Sequence, residues 1–132
     1  MTSRIVLTVV LVGLCGVPAA YAEWVLIYAA PQGMTVYVDP DSIRQKGTLA
    51  KMWSLYDFKT EQYVLGVPLL SSKGQIEYDC EKERVRGRAV TEFSGNMGTG
   101  TVVYTNSSEG KWIPVEIHGV VRTLWKVACD KP

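Results

Sequence analysis

The side chains with the strongest chemical character gather between Glu77 and Arg88. There Glu77 and Asp79 are followed by Arg84, Arg86 and Arg88, each set at two-residue spacing. Two chemistries fit that pattern. Three guanidinium groups along one strand face could hold an acidic ligand such as a sulfated sugar. The same arginines could instead meet Glu77 and Asp79 across a hairpin, an ion-pair ladder worth about 0.2–1 kcal/mol per pair. The ladder is the expected arrangement, with Arg84 outside it at the turn as the free cation and preferred contact. Catalysis has less to build on. His118 is the only histidine, and no Gly-x-Ser-x-Gly turn presents a serine. With Cys80 and Cys129 joined, neither a His/Cys zinc set nor a Cys–His nucleophile can form. Carboxylate pairs have no linear signature. A non-catalytic binding protein, with no metal or cofactor, is expected.

Alternation on either side of these charges defines the elements that position them. Ile76, Tyr78 and Cys80 share one strand face, with Gln75, Glu77 and Asp79 on the other. Val85, Gly87, Ala89, Thr91 and Phe93 form a second apolar row, so the stretch reads as an antiparallel hairpin. Keeping both rows on one face requires an even loop. Pairing Cys80 with Val85 predicts Asp79 opposite Arg86 and Glu77 opposite Arg88.

The chain of 132 residues suits one domain. Residues 1–22 read as a secretory signal: Arg4, an apolar run from Ile5 to Leu14, and cleavage after Ala20-Tyr21-Ala22. Lipid attachment would require Cys15 as the first mature residue, behind bulky Leu14, so cleavage after Ala22 is expected. The mature chain, residues 23–132, is then formally neutral with thirteen basic and thirteen acidic residues. That balance argues against general nucleic-acid or anionic-membrane binding, and no transmembrane segment remains in it. Export also leaves Cys80 and Cys129 as the pair for one disulfide, tying the chain's end to the Tyr78 strand.

Further strands are expected over Glu23–Ala30, Met34–Asp39 and Leu49–Lys59, and over Thr101–Asn106 after a glycine-rich loop. Across that loop Phe93 is expected to face Val102, and Thr91 to face Tyr104. Asp39-Pro40-Asp41-Ser42 offers two carboxylates and a hydroxyl to a metal, but Asp41 or Ser42 capping a short turn explains the same residues. Gly95, Gly98 and Gly100 lack the context of a phosphate loop and are expected to serve a turn. Gly66 and Pro68 demote Val64–Leu70 to an edge or loop. Val121, Leu124, Trp125 and Ala128 form a helical stripe within Val120–Cys129. Seven tyrosines and four tryptophans are more rings than a small core needs, which points to some at a contact surface.

The order of several short stretches resembles the surface-adhesin protein E-like family of bacterial exported proteins. They are Val36-Tyr37-Val38-Asp39-Pro40-Asp41-Ser42-Ile43, Met52-Trp53-Ser54-Leu55-Tyr56-Asp57, and Tyr78-Asp79-Cys80 with Arg84. Ser94 through Gly100 and Leu124-Trp125-Lys126-Val127-Ala128-Cys129 complete the set. The resemblance implies an α+β domain with a small antiparallel sheet and a C-terminal helix. With the alternation above, about six strands and one disulfide are expected. It also implies Gram-negative export to the periplasm or outer surface, and adhesion to host extracellular-matrix proteins. Arg84, Arg86 and Arg88 are the candidate contacts for such proteins or for sulfated glycans. A soluble periplasmic structural or small-ligand module is the alternative.

Overall fold

The computed structural model describes residues 23–132. The expected signal segment and its cleavage after Ala22 lie outside the described residues. Apolar side chains build β1 (Val25–Ala29) and β2 (Met34–Val38), the exposed β3 (Arg44–Lys46) forms by pairing beside the next strand, and β4 (Leu49–Val64) and β5 (Val67–Asp79) follow. They are followed by β6 (Arg84–Phe93), β7 (Val102–Asn106), β8 (Ile113–Pro114) and the helix α1 (Val120–Ala128). One antiparallel sheet runs in the order β1-β2-β4-β5-β6-β7, with β3 beside β4 and β8 beside β6. The expected architecture therefore holds, with six main strands and two short additions.

The sheet has two unlike faces. Val36, Val38, Ala50, Met52, Tyr78 and Val85 share one face, which α1 covers with Leu124, Trp125 and Ala128. The helical stripe read from the sequence is this contact. Gly119 opens the helix at φ 101°. At the other end Asp130 turns left-handed (φ 51°), and Lys131 N–H donates to the Lys126 carbonyl at 2.8 Å. That pattern satisfies an otherwise orphaned carbonyl and stops the helix. Two links then fix α1 to the end of β5. Cys80 and Cys129 form the expected disulfide, with Cα atoms 5.5 Å apart. The Trp125 Nε1–H donates to the Asp79 carbonyl at 2.9 Å, in a buried position.

Several sequence expectations need correction. Val64–Leu70 is neither edge nor loop: β4 and β5 pair to their tips, with Val64 opposite Val67 across Leu65-Gly66. Both turn residues have positive φ, 49° and 77°, the pattern of a type I′ hairpin turn. Leucine is an unusual occupant of that position, so the turn signal was missing. The β5–β6 register lies two residues from the one expected. Asp79 faces Arg84 and Glu77 faces Arg86, because the loop is Cys80–Glu83. The Asp79 carboxylate causes this, its Oδ1 accepting from the N–H groups of Glu81 (3.1 Å) and Lys82 (3.0 Å). Parity is kept, so Tyr78 and the arginines remain on opposite faces.

Further along, Gly87 pairs with Ile76 but Ala89 with Gln75, leaving Arg88 as the extra residue of a bulge. A one-residue bulge exchanges faces. Ala89, Thr91 and Phe93 therefore join Gln75, Lys73 and Ser71 rather than Val85. Phe93 does face Val102, but Thr91 faces Thr105 because β7 is shifted by a second irregularity. The cap of the Pro40–Ser42 turn is Asp39, not Asp41 or Ser42. Asp39 Oδ1 accepts from Asp41 N–H, and the Ser42 hydroxyl donates to the Asp39 carbonyl.

Two outcomes test this account. Cys129→Ser opens the closed loop and is expected to cost about 4 kcal/mol by the loop-entropy relation, read from urea unfolding without reductant. Leu65→Asn places a residue suited to left-handed backbone at a position 87% exposed. It is expected to raise stability by about 0.5–1 kcal/mol. An unchanged urea midpoint would argue against strain at Leu65.

Candidate functional site

The face of the sheet turned away from α1 collects the polar side chains of β5 and β6, and three tryptophans border it. Register brings Glu77 beside Arg86 and Asp79 beside Arg84. Arg84 Nε donates to Asp79 Oδ2 at 2.9 Å, and Arg86 Nε to Glu77 Oε1 at 2.7 Å. The two carboxylates are buried, while Arg84 keeps about a third of its side chain in solvent. Arg84 is therefore not the free cation expected; it belongs to the ladder.

The third arginine is engaged by a residue far along the chain. After β7 the chain runs back along β6, where Gly110 N–H donates to the Gly87 carbonyl and Ile113 pairs with Val85. This return places Glu109 between Arg86 and Arg88, with a bond to Arg88 Nη1 at 2.6 Å and an ion pair to Arg86. It also lays Trp112 against the ladder. The guanidinium carbons of Arg84 and Arg86 stand 4.5 Å and 4.3 Å from the centre of that indole ring. Both separations lie within cation–π range. Trp112 had no signal in the sequence beyond its residue type, because it reaches the arginines only through the return past β7.

Two features extend the face across the sheet. Lys73, on β5, holds its Nζ 5.2 Å from the Trp53 ring and 5.9 Å from Trp24. Beyond Glu77, Arg44, Gln45, Lys46, Leu49 and Lys51 line a groove of about 480 Å³. At the far end the glycine-rich loop covers the sheet. The buried Ser71 hydroxyl donates to the Gly95 carbonyl and accepts from Gly98 N–H, while Asp57 accepts from Met97 N–H. Those glycines serve a loop closure; Gly100, at φ 82°, occupies backbone that favours glycine.

The arrangement suits recognition. Guanidinium groups stacked on an indole keep outward N–H donors in a fixed fork, and partial burial strengthens each charge-assisted bond. His118 is exposed ahead of α1, remote in sequence from the charged hairpin. Among the described residues, no three His, Cys, Asp or Glu side chains gather in metal-holding geometry. No described helix is long and apolar enough to cross a membrane.

Fold and face together define a small one-helix sheet domain with cations and aromatic rings gathered on its helix-free face. The chain belongs to the surface-adhesin protein E family, whose sequence model matches residues 24–130. Crystal structures of Haemophilus influenzae protein E share the fold. One superposes with a TM-score of 0.62 at 9% identity, over 83% of this chain and 86% of that one. Protein E from a non-typeable strain gives 0.60 at 8% identity, over 86% and 79%. Among curated protein sequences, none matches the chain. Membership makes the chain a surface adhesin by family, an exported surface class associated with attachment.

Asp79 supplies a pH prediction. Burial works to raise its pKa, but the N–H groups of Lys82 and Glu81 and the Arg84 guanidinium outweigh it and hold the carboxyl below its ordinary value. A depressed folded-state pKa adds stability that is complete above the unfolded value, about 4, and lost as pH falls through the folded one. Asp79→Asn should thus lower the urea midpoint at pH 7, with the gap to the parent shrinking by pH 3. A gap independent of pH would show that the charge is not responsible.

Proposed function

We propose that the protein is exported with cleavage after Ala22 and attaches to extracellular-matrix-type macromolecules, host matrix proteins or sulfated glycans. Contact is made through the arginine face. One observation carries the reading: the guanidinium groups of Arg84 and Arg86 both lie within cation–π distance of the Trp112 ring on the helix-free side of the sheet. Arginine and tryptophan dominate interface energetics where they are held in place, and here ion pairs to Asp79, Glu77 and Glu109 hold them. Sulfate or carboxylate groups of a partner would exchange with Glu109, the exposed member of the network, and meet Arg86 and Arg88. The Arg44–Lys51 groove would take the next anionic group along the chain of a glycan. Family membership supports attachment as the activity, and no step of catalysis is assigned.

The groove beside Glu77 supports a second reading, a periplasmic module that binds a small anionic ligand between Arg44 and Lys51. The two readings separate by ligand size. The purified disulfide-bonded protein is offered a panel of matrix proteins and sulfated glycans, with Trp112→Ala and Arg88→Ala alongside. Trp112→Ala is expected to lose about thirtyfold in affinity, the ~2 kcal/mol of an interface anchor. Arg88→Ala should lose affinity without a loss of stability, because its ion-pair partner Glu109 is itself exposed. Arg84→Ala is a poorer probe, since it also strips Asp79 of its partner. Absence of binding at tens of micromolar, or binding indifferent to Trp112, would reject this site.

A further inference from the structure

The opposite face of the sheet is not covered along its whole length by α1. Beside the helix lies a groove of about 400 Å³ lined by Tyr56, Phe58, Tyr63, Val64, Ser72 and Glu92 among others, and by no residue of α1. Register builds its floor as one continuous row. Tyr56 faces Ser72 on β5, and Ser72 faces Glu92 on β6. Phe58 follows on the same face of β4, opposite Met34. Tyr63 reaches the groove from the β4–β5 hairpin, 67% exposed, with its hydroxyl bonded to Glu61 Oε2 at 3.2 Å.

The carboxylate of Glu92 is the unexplained group. Its Oε2 is shut off from solvent and accepts no hydrogen bond. An oxygen in that state carries its desolvation penalty uncompensated, and such groups in a folded protein call for an explanation. Nearby cations do not supply one. Arg84, Arg86 and Arg88 are engaged with Asp79, Glu77 and Glu109, and Lys73 lies on the other face between two tryptophans. The lining residues include no lysine or arginine, so the groove is unsuited to an anion. Aromatic faces around an unpaired carboxylate suit an ammonium group instead, which a ring quadrupole and a negative oxygen both attract.

We propose that this groove receives a lysyl side chain of a protein partner, with its aliphatic stem along Tyr63 and Val64 and its ammonium at the Glu92 carboxylate, whose side chain turns to bring Oε2 out to it. A lysine has the required form, an apolar stem ending in a compact donor of three N–H groups. The stem matches the apolar rim, and the donors would satisfy the orphaned oxygen and meet the Ser72 hydroxyl. A choline headgroup shares the cationic chemistry but brings a phosphate that the groove has no cation to receive. The site stands apart from the arginine face and does not rest on it.

The test uses the disulfide-bonded protein and acetyl-Gly-Lys-Gly-amide, with the norleucine tripeptide and choline as comparisons, followed by NMR. The lysyl peptide is expected to shift the amide resonances of Tyr56, Ser72 and Glu92 in a saturable way. The norleucine peptide should bind at least tenfold more weakly. Glu92→Gln should weaken the lysyl peptide at least tenfold, with an unchanged or raised melting temperature and unaltered binding at the arginine face. Equal binding of the lysyl and norleucine peptides, or shifts confined to other residues, would overturn the proposal, as would tighter binding of choline. The peptide comparison needs no variant, so it decides the matter even if Glu92→Gln fails to fold.

Discussion

Most of the architecture hangs on Asp79, which ends β5, and on Cys80, which follows it. The Asp79 carboxylate closes the turn into β6 and holds Arg84, while its carbonyl accepts the Trp125 indole N–H. Cys80, next in the chain, is bonded to Cys129 at the end of α1. One dipeptide thus sets the hairpin register, starts the ion-pair ladder and anchors the helix on the opposite face. A nine-residue helix would be marginal on its own in water. Cross-linked at one end and buried through Leu124, Trp125 and Ala128, it needs little intrinsic propensity.

That junction also accounts for the division of labour between the faces. With α1 fixed over Ala50, Met52, Tyr78 and Val85, the apolar side of the central hairpin is used for stability. The other side is left to charged and aromatic groups, with Arg84, Arg86 and Lys73 placed by strand register and Glu109 and Trp112 by the return of the chain along β6. A partner would meet side chains already ordered by ion pairs, so less conformational entropy is lost on contact. The helix is shorter than the sheet is long. The Tyr56–Ser72–Glu92 row therefore remains uncovered beside it, and the same face that stabilises the fold keeps a concave polar-aromatic strip.

Much of this was legible in the sequence, because period-two alternation and a helical stripe report directly which side chains turn inward. The strands around Trp53, Tyr78 and Val85, the Val121–Ala128 stripe and the pairing of Cys80 with Cys129 could all be read from residue types and spacing. So could the separation of Tyr78 from the arginines, since the parity of the loop determines it whatever the exact register. The tertiary structure decided what depends on single backbone conformations and on distant returns of the chain. Asp79 capping its own turn moved the register by two residues and drew Arg84 into the ladder. The left-handed Leu65 turned an apparent loop into a long hairpin, and the bulge at Arg88 moved Ala89, Thr91 and Phe93 to the other face. Trp112 and Glu109 reached the arginines only because the segment after β7 runs back along β6. Alternation is a local property and survives in the sequence; a bulge, a left-handed residue or a strand return takes its energy from neighbours far along the chain, so one dimension does not contain it.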